Sequence, residues 1–270
     1  MKIALAQLDM GFEDKGFEDK GFAMKTCADL MEKAAAKEAD LIVFPEMTLT
    51  GFTMNPATYG ELKEDSMTIT FFQEAAKKYQ MAVVFGVIFL EDGTAQNHSI
   101  VMDKNGHILA DYAKIHPFSY GAEAKYYSGG DALAFCQVDG VPLSPFVCYD
   151  LRFPEIFQAA SKKSLVMTVI ANWPVARVGH WKTLLQARAI ENQSFIVGVN
   201  RSGKDRTLTY SGDSMLVSPT GEILAHLTGE NELAVVEIDP KDAEAYRAEF
   251  PLKADRKEDL YSRFFEETKA

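Results

Sequence analysis

The chain has 270 residues, of which 47% are hydrophobic and 25% charged, with 18 Gly and 10 Pro. Those proportions exclude collagenous, mucin-like and disordered classes, and a chain this long buries about 75% of its unfolded surface without disulfides or metals. Thirty-nine acidic against 28 basic residues give a net charge of −11, which offers phosphate backbones and anionic membranes no long-range attraction, so neither nucleic acid nor membrane is expected as a partner.

The opening residues Met1-Lys2-Ile3-Ala4-Leu5-Ala6-Gln7 carry one charge and too short an apolar run for a signal peptide. No uncharged apolar stretch reaches the roughly 18 residues of a membrane span. The three cysteines, Cys27, Cys136 and Cys148, are too sparse for a disulfide framework, and a reducing cytoplasm is the expected setting. Residues 2–8 read as a strand. Gly11-Phe12-Glu13-Asp14-Lys15 is copied at once as Gly16-Phe17-Glu18-Asp19-Lys20, which reads as a loop lengthened by duplication.

A helix rich in Ala, Met, Lys and Glu is expected over residues 24–37, a short buried strand over 40–44, a helix over 67–79 and an apolar strand over 81–90. Residues 97–103 and 107–112 form a predicted hairpin around Asn105-Gly106. Further strands are expected over 141–147, 165–170, 194–200, 208–218, 220–225 and 233–238, with helices over 153–162 and 179–191. The two prolines of 141–147 argue for an edge or irregular strand. From about residue 240 the chain is highly charged and reads as a helix and tail. No linker interrupts the composition, so a single domain over 1–270 is expected. Strands alternating with helices, plus hairpins, indicate an α/β fold with mixed sheets. The strands are too many for one ordinary sheet, and two packed sheets with helices outside accommodate them.

Three polar residues stand where apolar segments stop: Glu46 after Leu41–Pro45, Lys114 after 108–113 and Cys148 after 143–147. Strand ends are where α/β folds place function. Cys148 sits on a strand–turn–helix stretch, where a helix N-terminus favours thiolate, though a cysteine is often only a small hydrophobe. A buried carboxylate such as Glu46 favours taking up a proton, which suits a general base. It can equally be an exposed loop residue or half of an ion pair. Lys114, flanked by apolar and aromatic residues, could stabilise an oxyanion or lie at the surface, the commoner fate of lysine.

Phe44-Pro45-Glu46, Lys114-Ile115-His116 and Val147-Cys148-Tyr149-Asp150-Leu151-Arg152-Phe153-Pro154-Glu155, in this order, resemble the nitrilase-type carbon–nitrogen hydrolase superfamily over nearly the whole chain. The resemblance implies a four-layer α-β-β-α sandwich with two mixed sheets, and members that pair as homodimers or higher homo-oligomers. It implies Cys148 as nucleophile and Glu46 as general base. Lys114 and the backbone N–H of Tyr149 would stabilise the tetrahedral intermediate, and Glu123 matches a second glutamate of many members. A thioester on Cys148, formed with loss of ammonia and then hydrolysed, follows from these roles. No metal or other cofactor is required. The five histidines show no ligand spacing.

True nitrilases usually carry Trp-Glu after the cysteine, and Tyr149-Asp150 resembles the amidase branches instead. Ala171-Asn172-Trp173-Pro174-Val175-Ala176-Arg177, with His180-Trp181 and Ala187–Gln193, is similar to the omega-amidase (2-oxoglutaramate amidase) branch, as are Glu46-Met47 and Thr50-Gly51-Phe52. That branch takes short amides that also carry a carboxylate, a group arginine grips in bidentate fashion. Arg177 is the better candidate for it, and Arg152 the second. Arg152 reads more as a structural residue, because its Arg-Phe pair recurs in branches with unrelated substrates. Each arginine could instead close a helix-start ion pair. Trp173 reads as a pocket wall or, like Trp181, as packing, and Arg188 is expected to pair with Glu191. Thr48-Leu49 beside the base departs from the branch and could alter the pocket. The rivals are an amidase acting on N-carbamoyl amino acids or aliphatic amides, and a non-catalytic scaffold of the same fold.

Overall fold

The computed structural model describes residues 1–10, 20–91, 93–205, 207–229 and 232–268. Apart from Lys20, the duplicated Gly-Phe-Glu-Asp-Lys lies outside the described residues. The strands are β1 (Lys2–Gln7), β2 (Leu41–Val43), β3 (Ala82–Glu91), β4 (Thr94–Met102), β5 (Ile108–Ala113), β6 (Cys136–Val138), β7 (Val141–Val147), β8 (Val166–Ala171), β9 (Phe195–Asn200), β10 (Ser202–Lys204), β11 (Thr209–Ser211), β12 (Met215–Val217), β13 (Ile223–His226) and β14 (Glu232–Glu237). The helices are α1 (Lys20–Ala35), α2 (Pro56–Tyr59), α3 (Met67–Tyr79), α4 (Pro154–Ala160), α5 (Val178–Asn192), α6 (Lys241–Glu249) and α7 (Glu258–Glu267).

Two six-stranded sheets run in the orders β14-β1-β2-β3-β4-β5 and β13-β12-β9-β8-β7-β6. In each, three central strands are parallel and joined by helices, β1-α1-β2-α3-β3 and β7-α4-β8-α5-β9, while the outer strands pair antiparallel. A parallel core covered on both faces has to be apolar on both faces. The period-2 alternation then sorts the side chains. Ile3, Leu5, Leu41, Val43 and Val84 of the first sheet share a core with Phe146, Val147 and residues of β8 and β9. Ala4, Ala6, Ile42, Val83 and Phe85 face the other way, onto Leu30, Met31, Ile69 and Phe72 of α1 and α3. Phe157, Trp181, Leu185 and Ala189 of α4 and α5 pack on the second sheet. The result is the expected α-β-β-α sandwich with two mixed sheets.

Local signals match their elements. Ser66 caps α3 by accepting the N–H of Ile69 at 3.1 Å, a contact worth about 1 kcal/mol. Asp103 and Gly106, with φ of 81° at the glycine, close the β4–β5 hairpin. Three expectations need correction. First, β7 is not an edge strand, because β6 lies outside it. Yet β6 pairs only with Val141, Pro142 and Leu143, so Pro145 stands beyond its end, where that edge carries no ladder to interrupt. Second, the strand expected over 208–218 is broken into β11 and β12 by Gly212 and Asp213, both at positive φ. Third, the charged C-terminal stretch holds two α-helices, α6 and α7. Among the described residues no helix is long and apolar enough to cross a membrane.

Candidate active site

The chain leaves β2 through Phe44, Pro45 and Glu46. Thr48 fixes this corner: its Oγ1 donates to the Pro45 carbonyl (2.6 Å) and accepts the N–H of Gly86 in β3 (2.8 Å). A Cβ on Gly86 would collide with the backbone of Glu46 and Met47, so only glycine lets β3 approach so closely. The departure at Thr48 therefore serves the backbone of the corner, and neither Thr48 nor Leu49 lines the cleft described below.

Lys114 follows the last residue of β5, where its N–H donates to the Asn97 carbonyl of β4 (2.8 Å). Glu123 opens a short helical turn and its carboxylate accepts the N–H of Phe118 (2.6 Å). Lys114 Nζ reaches Glu46 Oε1 at 2.9 Å and the two oxygens of Glu123 at 3.0 and 2.8 Å, with all three side chains buried. Asn97 Nδ2 donates to Glu46 Oε1 (2.7 Å) and Glu123 Oε1 (3.1 Å). Asn172, just past β8, donates its backbone N–H to Glu46 Oε2 (2.8 Å) and its side-chain amide to Glu46 Oε2 (3.2 Å) and the Glu46 carbonyl (2.9 Å). Sequence reasoning did not single out Asn97 or Asn172 as site residues. Nothing local marks Asn97; Asn172 stood in a quoted motif without a role.

Cys148 begins a 3-10 turn, Cys148–Arg152, with φ of 48°, a left-handed conformation that is strained for a non-glycine residue and typical of functional sites. Asp150 pins this turn to the Lys114 segment. It accepts from Tyr112 Oη (2.9 Å) and from the backbone N–H of His116 (3.0 Å).

The charges follow from this burial. Burial works against the Lys114 ammonium, but Glu123 and Glu46 outweigh it and hold the group well above the ordinary lysine value. Burial, with Glu46 and Glu123 beside it, pushes the Cys148 thiol well above its ordinary value, against the pull of Lys114 and the Asn172 N–H. The expected thiolate is thus a thiol at rest. The helix that was to stabilise it starts only at Pro154, and the charges of Glu46 and Glu123 act against a thiolate. Such a thiol needs a base at the moment it attacks.

Cys148 opens into a cleft walled by Tyr149, Trp173, Phe52 and Phe118 and rimmed by Arg152 and Arg177. Trp173 is thus both wall and packing, since its ring meets that of the buried Trp181 at 5.5 Å. Leu208 and Tyr210, from the β10–β11 ribbon, close the far side; the strand expected there gave no hint of that. Arg152 stacks over Trp173 (4.6 Å) and donates to His180 Nδ1 (3.3 Å). Arg177 stacks over Phe118 (5.4 Å). Among the described residues neither arginine makes an ion pair with a carboxylate, unlike Arg188, which pairs with Glu191 at 2.8 Å. Burial and the nearby Arg177 charge hold the Arg152 guanidinium below its ordinary value, although Tyr149 and Cys148 oppose them.

The family model for carbon–nitrogen hydrolases matches residues 2–248. The chain belongs to the carbon–nitrogen hydrolase family. Among its relatives, a 2-oxoglutaramate amidase of Bacillus subtilis is 33% identical over 238 residues, 87% of this chain and 91% of that one. The omega-amidase YafV of Yersinia enterocolitica is 36% identical over 222 residues, 80% of this chain and 83% of its own. A CN-hydrolase superfamily protein of Xanthomonas campestris, solved with an arsenic adduct in its active site, superposes with a TM-score of 0.87 at 28% identity, covering 95% of this chain and 97% of that one. As a carbon–nitrogen hydrolase, the chain is an enzyme rather than a scaffold.

Proposed function

We propose that this carbon–nitrogen hydrolase is an amidase that releases ammonia from the terminal amide of a small carboxylate-bearing acid, of the 2-oxoglutaramate or 2-oxosuccinamate type. The observation that carries the reading is the shared cleft: Cys148 lies with two arginines that pair with no carboxylate among the described residues. A substrate carboxylate supplies the missing partner. Two cations at the rim also disfavour an α-ammonium, so a keto acid fits this mouth better than glutamine does. The similarity to the two amidases adds support from outside the site.

In this reading the Cys148 thiol attacks the amide carbonyl as Glu46 takes its proton. Lys114 Nζ and the Tyr149 N–H, in the first turn of a helical segment where N–H groups lack internal partners, receive the oxyanion. Glu46 passes the proton to the departing nitrogen, ammonia leaves, and a thioester remains on Cys148. Glu46 then draws a proton from water, whose oxygen bonds the thioester carbon; the C–S bond breaks, Glu46 returns the proton to the Cys148 sulfur, and the acid is released. Glu123 keeps Lys114 in place and charged. Neither metal nor cofactor enters a step. The reading also takes the protein as cytoplasmic and as a homodimer or higher homo-oligomer.

Ammonia release from 2-oxoglutaramate, beside Cys148→Ala and a panel of succinamate, glutamine, an N-carbamoyl amino acid and a simple nitrile, tests it. Fast release from the keto-amide, lost in the variant, is the expected result. Release from another amide keeps the chemistry and moves the substrate. Silence on every compound overturns the reading.

A further inference from the structure

We infer that Asn97 is a positioning residue that lets two buried carboxylates work side by side around one lysine. The inference rests on the amidase reading. Asn97 touches each of the three charged groups: its carbonyl accepts the N–H of Lys114, and its Nδ2 donates to Glu46 Oε1 at 2.7 Å and Glu123 Oε1 at 3.1 Å. Only Lys114 Nζ also bridges the two glutamates among the described hydrogen bonds. A single ammonium between two carboxylates leaves an excess negative charge among buried side chains. A neutral amide with two N–H groups adds a second bridge without adding charge.

The amide's other end shows that this geometry is demanded rather than incidental. Among the described residues, Asn97 Oδ1 is buried with no hydrogen-bond partner. Buried carbonyls are rarely left so, and one that is left so usually marks a functional constraint. Flipping the amide would free the N–H groups and turn the oxygen onto two carboxylates, so the electrostatics hold it in the costly orientation. Asn172 grips the opposite oxygen of Glu46. Glu46 Oε1 is thereby taken up by Lys114 and Asn97, and Oε2 by the backbone N–H and side-chain amide of Asn172.

The titratable groups facing this pair are Lys114 from the end of β5, Cys148 from the turn after β7 and Tyr127 from beyond the Glu123 turn. A donor to an ionised carboxylate stabilises its charged form, and Asn97 supplies one to each glutamate. Asn97→Leu keeps the volume and removes the donors. Asn97→Asp keeps the shape and sets a third carboxyl against the other two.

The test compares wild type, Asn97→Leu and Asn97→Asp in two assays across pH. One follows kcat and KM on the amide. The other follows the burst of 4-nitrophenolate from 4-nitrophenyl acetate, in which Cys148 Sγ bonds the acyl carbon, the aryl ester bond breaks, and Glu46 accepts the thiol proton. Both variants should lose about 100-fold in kcat, with KM changed less than about threefold. Burst and turnover that fall only with the folded fraction, or a KM that rises as much as kcat falls, overturn the inference. A normal wild-type burst without turnover of any amide sinks the amidase reading instead, and Asn97 is then judged on the burst.

Discussion

Two groups of cations share one site with Cys148 and are treated in opposite ways. At the base of the site, Lys114 is enclosed, with Glu46, Glu123 and Asn97 satisfying it and its partners. At the rim, Arg152 and Arg177 rest on aromatic faces and have no carboxylate of their own among the described residues. The contrast separates machinery from recognition. A buried charge must be paired within the protein, or folding fails. A half-exposed charge is stabilised by water and can wait for a ligand.

Variants should divide along that line. Cys148→Ala ends turnover, by at least about 10⁴-fold, with little change in melting temperature, because the side chain is small and makes no ion pair. Lys114→Met should also abolish activity and, in addition, lose about 3–5 kcal/mol of stability, read by denaturant unfolding, because two carboxylates stay buried without their cation. Arg177→Met and Arg152→Met should each lower kcat/KM about 10-fold to 100-fold on the carboxylated amide and leave an uncharged amide unaffected. Their stability should stay within about 0.5 kcal/mol of wild type. Equal losses on charged and uncharged amides would erase the division between base and rim. Gly86→Ala tests the base from behind: pushing on the Glu46 corner should cost about 1–3 kcal/mol and slow turnover while KM holds.

The smallest effect concerns pH. The folded chain holds the Cys148 proton above the ordinary thiol value, whereas the unfolded chain releases it near about pH 8.5. The unfolded state therefore binds fewer protons above that pH, and stability falls as pH rises. Melting temperatures of wild type and Cys148→Ala should run parallel below about pH 8 and diverge above it, with wild type losing more. Parallel curves throughout would mean an unshifted thiol, and wild type gaining stability on the variant as pH rises toward about 8.5 would mean a thiolate at rest and restore the helix-dipole expectation.

Much of this was legible in the chain. The alternation of strands and helices, the Asn105-Gly106 hairpin and the count of strands led to two sheets with outer helices, because those signals are local. Glu46, Lys114 and Cys148 stood out because each ends an apolar run. Their ordered motifs, and Glu123 with them, pointed to one superfamily. Less visible was whatever depended on a distant partner. Pro145 looked like an edge marker, and only the shortness of β6 shows why a penultimate strand tolerates it. The thiol's state was misjudged because a nearby helix start is visible in sequence and two carboxylates folded against it are not. Asn97 was passed over because a lone Asn within a strand carries no signal until Glu46 and Glu123 lie within reach of its amide.

The sequence by itself determined most of the elements and marked the reactive side chains, since these follow from periodicity and from apolar runs, and its ordered motifs carried the resemblance to the family. The tertiary structure decided what those side chains are to one another. It alone paired Lys114 with two carboxylates, left Arg152 and Arg177 facing a cleft, and kept the Cys148 proton in place. Burial and charge act through distances of a few ångströms between residues as much as 126 positions apart, as between Glu46 and Asn172, and no local pattern encodes such distances.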